Sequence, residues 1–282
     1  MFTIRPMTAL DIPAGLRLCR TSGWNQLASD WEQLLALNPG GARVAEMDGH
    51  VVASVAALEY DAQFGWVAMV LVDPAQRRQG LGTTMLTAGL ELLEHVPVVR
   101  LDATPAGHPI YRARGFEEEY RLARMERGVS DQLAPASPVA VRRMRTADHA
   151  AIAAWDLDVF GASRQSLLEW LGAAAPGYAW VADDPTGLAG WMLGRQGFAF
   201  DHLGPIVARD HTVAASLVAA CVRASPGVPL ILDAPSDAAE WQAWLAASGF
   251  HVQRPFIRMR RGRQSVIGRP DEQYAIVGPE FG

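Results

Sequence analysis

The chain has 282 residues, 50% of them hydrophobic and 20% charged, with 26 Gly and 18 Pro. This is a globular composition, long enough for about two domains, and it excludes a collagenous, coiled-coil or disordered protein. Thirty acidic residues against 25 basic ones leave a net charge of -5, and every basic residue is Arg. That balance argues against a nucleic-acid partner and leaves room for an arginine-lined anion site. Cys19 and Cys221 stand far apart in a chain too large to be a disulfide scaffold, so they read as reduced core thiols of a cytoplasmic protein. The first residues alternate like a strand and do not resemble a signal peptide, and no apolar run approaches membrane-spanning length, so no membrane partner is expected.

Taken in order, the hydrophobic pattern predicts a strand over 2–6, two helices, strands over 43–47, 51–60 and 66–72, a helix, a strand over 98–102 and a last helix. Ser29-Asp30-Trp31-Glu32 has capping-box spacing, and Pro39-Gly40 stops the helix it opens. After Gly82 the residues Met85, Leu86, Leu90 and Leu93 recur at helical spacing, which lays one face of that helix on the sheet. The order predicts an α/β (α+β) unit, a mixed sheet flanked by helices.

The unit is then written a second time. Ile4-Arg5-Pro6-Met7-Thr8-Ala9-Leu10-Asp11 is echoed by Val141-Arg142-Arg143-Met144-Arg145-Thr146-Ala147-Asp148, 137 residues later. Val44-Ala45-Glu46 pairs with Val181-Ala182-Asp183 at the same offset, and Gly115-Phe116 with Gly249-Phe250 at an offset of 134. Echoes in one order at nearly constant spacing imply two copies of one α/β unit. Linker composition at 129–138 separates a first domain, 1–128, from a second, 139–282.

The chemistry concentrates where the apolar strand ending Val70-Leu71-Val72 runs through Asp73-Pro74 into Arg77-Arg78-Gln79-Gly80-Leu81-Gly82-Thr83. The glycines let backbone N–H groups approach an anion that a helix N-terminus also attracts, the arginines add charge, and Thr83 adds a hydroxyl. A pyrophosphate suits such a loop, as does a plain turn with solvated arginines. Neither the Walker pattern nor the dinucleotide G-x-G-x-x-G is present.

This loop resembles the acyl-CoA loop of the GNAT superfamily of N-acyltransferases, Gln/Arg-x-x-Gly-x-Gly/Ala after a strand ending Val-x-Pro. Tyr111-Arg112-Ala113-Arg114-Gly115-Phe116 resembles the family's second signature, Tyr-x-x-x-Gly-Phe. The resemblance is close over residues 2 to 127. With the tail Ala275-Ile276-Val277-Gly278-Pro279-Glu280, the second copy looks like those members that append a diverged GNAT-like domain. The resemblance therefore implies two tandem GNAT-like domains, each with a mixed, mostly antiparallel sheet. It also implies acetyl-CoA as co-substrate, direct transfer of an acetyl group to a primary amine of a small molecule, and no metal.

Within that frame the backbone of Val70, Leu71 and Val72 pairs with the pantetheine arm and polarises the thioester carbonyl, and Tyr111 protonates the departing thiolate. The amine must lose a proton before it attacks. Glu59 and Asp61, at the end of the preceding strand, are the nearest candidate bases, and Asp201 and His202 are further ones. Trp24 and Asn25 are candidate acceptor-pocket residues, with His202 beside them, because an aromatic wall can hold a cationic amine. Trp31 and Trp66 fit core packing better. Two rival readings stay open: a non-catalytic acyl-CoA sensor, and a protein or peptide N-acetyltransferase. For the second copy, Arg209-Asp210-His211-Thr212 replaces the glycine loop and Leu245 replaces the tyrosine, so no acyl-CoA is expected there.

Overall fold

A computed structural model describes residues 2–136, 139–262 and 268–282. The first copy runs β1 (Thr3–Pro6), α1 (Ile12–Thr21), α2 (Ala28–Leu37), β2 (Ala42–Met47), β3 (His50–Tyr60), β4 (Phe64–Val72), α3 (Leu81–Glu91), β5 (Val98–Ala103) and α4 (His108–Arg112). It ends with β6 (Glu117–Arg127), and the second copy begins with β7 (Ala140–Arg143), then α5 (His149–Phe160), α6 (Gln165–Ala174), β8 (Trp180–Asp184), β9 (Gly187–Arg195) and β10 (Asp201–Ala208). It closes with α7 (His211–Ala224), β11 (Leu230–Pro235), α8 (Ala239–Ala247), β12 (His251–Gly262) and β13 (Gln273–Ala275). Among the described residues no helix is long and apolar enough to cross a membrane.

Two compact units result, and neither is contiguous in sequence. The first holds Met1–Glu118, Met259–Gln264 and Pro279–Gly282; the second holds Glu119–Arg258 and Ser265–Gly278. The units divide within β6, after Glu118, and most of that strand pairs with β11 in the second unit. Nor is the expected linker loose. Arg127 donates from Nε to Ser248 O at 3.0 Å and from Nη2 to Gln132 O at 3.0 Å, which pins its first residues. Ser137 and Pro138 of that linker lie outside the described residues.

In the first unit β1, β2, β3 and β4 pair antiparallel in sequence order, and β5 joins β4 in parallel. The central strands β3 and β4 are buried on both faces, successive side chains pointing to opposite sides of the sheet. Gly65 faces the end of α3, where a Cβ would meet Leu93, and Trp66, next in the strand, points to the opposite face and is fully buried. Trp31 is equally buried, its ring against Gly15 of α1, so both tryptophans are core residues. Ser29 does not cap α2. The cap position is Leu27, whose N–H donates to Asp30 Oδ2 at 2.6 Å, so the acid three residues on does the capping.

In the second unit β7, β8, β9 and β10 repeat the antiparallel run, and β11 joins β10 in parallel. The sequence echoes are structural. Arg5 binds Asp11 through both Nη atoms at 2.8 Å and Glu46 through Nε at 2.7 Å. Arg142 binds Asp148 at 2.7 and 2.8 Å and Asp183 through Nε at 2.6 Å. Each cluster ties the first strand of its unit to the turn before the first helix. At the other echo, Phe116 N donates to Tyr111 O at 3.1 Å and Phe250 N to Leu245 O at 3.0 Å, after glycines at φ +83° and +82°.

Candidate active site

The register of β3 against β4 shifts where Ser54 pairs with Leu71 and Ala56 with Ala68, so Met69 and Val70 stand opposite Val55 alone. This is a β-bulge, with Met69 at φ +53° and its carbonyl accepting from Ser54 Oγ at 2.9 Å in the core. On its other edge β4 pairs with β5 at Gly65↔Val99 and Trp66↔Arg100. Among the described residues no further pair joins these strands, so the β5-side edge of β4 from Val67 to Val72 has no strand partner there, and Val72 O accepts from the Arg77 side chain instead. Val70, Leu71 and Val72, expected to hold an extended arm, lie on that edge.

Beyond Val72 the chain turns sharply and opens α3. Asp73 caps the turn, accepting from Ala75 N at 3.0 Å and from Arg17 Nη1 at 2.6 Å; Arg17 holds its carboxyl below the usual carboxylate range. Arg77 folds back, donating from Nε to Val72 O at 3.1 Å and from Nη2 to Ser22 Oγ at 3.3 Å. Arg78, at φ +63°, and Gly80, at φ +81°, turn the backbone through the left-handed region, and Gly80 is the residue before the helix. Arg77 through Gly80 are exposed, Leu81 is buried, and Gly82 and Thr83 are half-buried. A Cβ built on Gly82 would meet Val72 Cγ2 at 3.6 Å and nothing closer, so packing does not demand a glycine there. The helix N-terminus thus follows two exposed arginines and has no side-chain cap at Gly80, an arrangement that suits an anion.

Tyr111 sits half-buried on α4, edge-on to Phe116 at 6.0 Å between ring centres. Burial pushes its phenol up to about 12, so it stays protonated at any physiological pH and can donate. Glu59 is a different case. It pairs with Gly65, ahead of the opening, and its Oε2 lies 2.7 Å from His95 Nε2 on the surface, so the structure does not bring it to the bulge. Asp61 lies in the β3–β4 turn at φ +49°.

Trp24 and Asn25 are half-buried in the loop after α1. Arg20 holds that loop, donating to Trp24 O at 3.0 Å and to Gln26 O at 2.6 Å. His202 belongs to the second unit's core, 2% exposed, with Nε2 3.1 Å from Asp233 Oδ2. Asp233 is also held by Arg124 through two bonds of 2.8 Å. Burial there favours the neutral imidazole, and the arginine keeps the Asp233 carboxyl far below its usual range. His202 is therefore a core residue of the second unit; Asp201 accepts from Tyr178 Oη and from Gly197 N at 3.2 Å. Cys19 is fully buried, and desolvation pushes its thiol up to about 12, so it is no acyl carrier. Among the described residues no group of three His, Cys, Asp or Glu could hold a metal ion.

Sequence reasoning missed the bulge, since a methionine carries no turn signal, and it placed the tail with the second copy. Pro279–Gly282 belongs to the first unit, where Trp66 Nε1 donates to Pro279 O at 3.0 Å and Tyr60 Oη to Phe281 O at 2.7 Å.

A strand edge left open at a bulge and leading straight to an anion-binding helix N-terminus belongs to the acyltransferases of GNAT fold. The profile described as acetyltransferase (GNAT) family matches residues 15–116, and that described as acetyltransferase (GNAT) domain matches residues 152–275. The uncharacterized N-acetyltransferase YitH of Bacillus subtilis is 25% identical over 84% of this chain and 83% of its own length. Holothin acyltransferase of a Pseudoalteromonas species is 24% identical over 92% of this chain and 87% of its own. A crystal structure from Pyrococcus horikoshii, titled as an acetyltransferase, superposes with a TM-score of 0.82 at 20% identity, covering 100% of this chain and 96% of that one, and shows the shared fold. The chain belongs to the GNAT acetyltransferase family, an acyltransferase with a second GNAT-like domain.

Proposed function

We propose that the first unit binds acetyl-CoA along the open edge of β4 and transfers the acetyl group directly to a primary amine of a small molecule. The observation that carries this reading is the continuity of the open edge, Val67–Val72, with the exposed N-terminus of α3. An extended pantetheine arm added to that edge brings its pyrophosphate to the N–H groups after Gly80, with Arg78 as counter-charge. A backbone N–H beyond the bulge then donates to the thioester oxygen, where negative charge grows as the amine attacks. The amine nitrogen forms the new C–N bond, the C–S bond breaks, and Tyr111 gives its proton to the departing thiolate. The proton shed by nitrogen as the amide forms passes to solvent, which returns one to Tyr111, so amine and thioester give amide and free thiol with no net change in the enzyme. Relatives named as an N-acetyltransferase and as an acyltransferase of holothin support the reaction class and a small-molecule acceptor.

The test pairs calorimetric titration of acetyl-CoA with a thiol-release assay over a panel of small primary amines and peptides, products being read by mass spectrometry. Acetyl-CoA binding with acetylation of small amines is expected. Turnover of peptides alone, or binding with no turnover, would overturn the reading in favour of a peptide acetyltransferase or a sensor.

A further inference from the structure

The second unit repeats the opening of the first. Its strand β10 shifts register against β9 between Leu203 and Ile206, the same two-against-one bulge, and pairs with β11 at Asp201↔Leu230 and His202↔Ile231. Here the edge is filled. The chain's own β13 pairs antiparallel with β10, Ile206 with Ala275 and Val207 with Gln273. Ile276 N donates to Asp233 O on β11 at 3.1 Å, so the segment lies against both strands.

We infer that the second unit's cleft is a docking groove for residues 273–277 of the chain itself, and that the residues following them, Pro279–Phe281, form a wall of the acceptor side of the first unit. The groove is built to its occupant. A Cβ on Gly204 would fall 2.0 Å from Ile276 O, so the glycine is what lets the segment in. Side chains then hold the segment at nearly every step. Within the second unit Trp155 Nε1 donates to Glu272 Oε2 at 2.5 Å, Trp241 Nε1 to Tyr274 O at 2.9 Å and Arg195 Nη1 to Val277 O at 2.6 Å. Within the first, Trp66 and Tyr60 take the carbonyls of Pro279 and Phe281. A pantetheine arm needs the same edge of β10 that Ala275 and Gln273 already use, so the two occupants exclude each other.

The acceptor-side half of the inference rests on the proposed function. Trp66, which immediately precedes Val67 on β4, faces away from α3 and donates to Pro279 O, so the tail meets that face of the strand where the unpartnered edge begins. Cys19 stands near the end of α1, where its carbonyl accepts from Trp24 N at 2.9 Å. The tail and the loop that carries Trp24 and Asn25, the candidate acceptor residues, thus belong to one unit, and the inference sets them on one acceptor side.

The test uses the full chain, with calorimetric titration of acetyl-CoA and hydrogen exchange read by mass spectrometry. One acetyl-CoA per chain is expected, with residues 273–277 exchanging as slowly as β10 whether or not acetyl-CoA is saturating. A second equivalent of acetyl-CoA, or exchange at 273–277 accelerated tenfold by acetyl-CoA, would overturn the docking. A protected segment with no acetyl-CoA binding at all would uphold the docking and overturn the proposed function instead. For the acceptor side, Tyr60→Phe removes one hydroxyl and keeps the ring against Phe64. Exchange at Glu280 and Phe281 is expected to rise tenfold and the KM for the best amine of the panel at least fivefold, with kcat and acetyl-CoA affinity within twofold. An unchanged amine KM despite the faster exchange would refute the wall.

Discussion

Gly82 has free space where its side chain would be, and its neighbour Gly80 does not share that freedom, because φ +81° asks for a glycine on backbone grounds. The two can therefore be separated by experiment. Gly82→Leu should leave the thermal midpoint unchanged or raise it, since a helix gains about 0.5–1 kcal/mol when a glycine is replaced. Its acetyl-CoA affinity should fall at least tenfold, because a side chain there fills the approach to the N–H donors. Unchanged affinity by calorimetry would remove this loop from the binding site. Tyr111→Phe should lower turnover about tenfold to a hundredfold, toward the lower end for a general acid because a thiolate already leaves well, with acetyl-CoA binding within twofold. With the phenol raised to about 12, the wild type should show no Tyr111 titration between pH 7 and pH 9; equal turnover of the variant across that range, with chemistry rate-limiting, would exclude the role. Arg5, by its hydrogen bonds, holds the Asp11 carboxyl at about 2, below the ordinary aspartate range. The stabilisation this gives is full above the unfolded value and is lost as pH falls through the folded one, between about pH 4 and pH 2. Because Arg5 is 37% exposed, we set it at about 1 kcal/mol, and Asp11→Asn should flatten the stability curve in that window.

At the scale of elements, the sequence was readable where one period governed a segment. The apolar runs of β3 and β4 and the spacing of Met85, Leu86 and Leu93 locate those elements to within two residues, because burial of one face is a local property of the pattern. The loop at Arg77–Thr83 and Tyr111 were legible for another reason: glycines and an aromatic at set spacing are rare by chance. What escaped depends on partners distant in sequence. Ser29 looks like a cap, yet the N–H that needs capping belongs to Leu27, two residues earlier. Met69 bulges because Ser54 and the β3 register hold it there, which no residue of β4 announces. Glu59 reads as a base from its nearness in sequence to β4, but its place opposite Gly65 commits it to His95.

At the scale of the whole molecule, duplication supplied two copies of an opening, and three differences separate them. The N-terminus of α3 is open, whereas Asp210 closes that of α7, accepting from Thr212 N at 2.8 Å and Val213 N at 3.0 Å. Tyr111 is half-buried on its helix, whereas Leu245 is fully buried in the second core. Among the described residues no strand pairs with the edge of β4 at its opening, whereas that of β10 carries β13. The first difference acts through charge and the last through occupancy, and these predict different behaviour. Asp210→Asn keeps a side-chain oxygen for the cap, so its stability cost should stay well under the ~1 kcal/mol expected of Asp210→Ala. The substitution also removes the negative charge from the place where a pyrophosphate would lie. If charge were the barrier, acetyl-CoA would now titrate to two per chain. Because β13 still takes the hydrogen-bonding groups of Ile206 and Val207, the titration of Asp210→Asn should end at one.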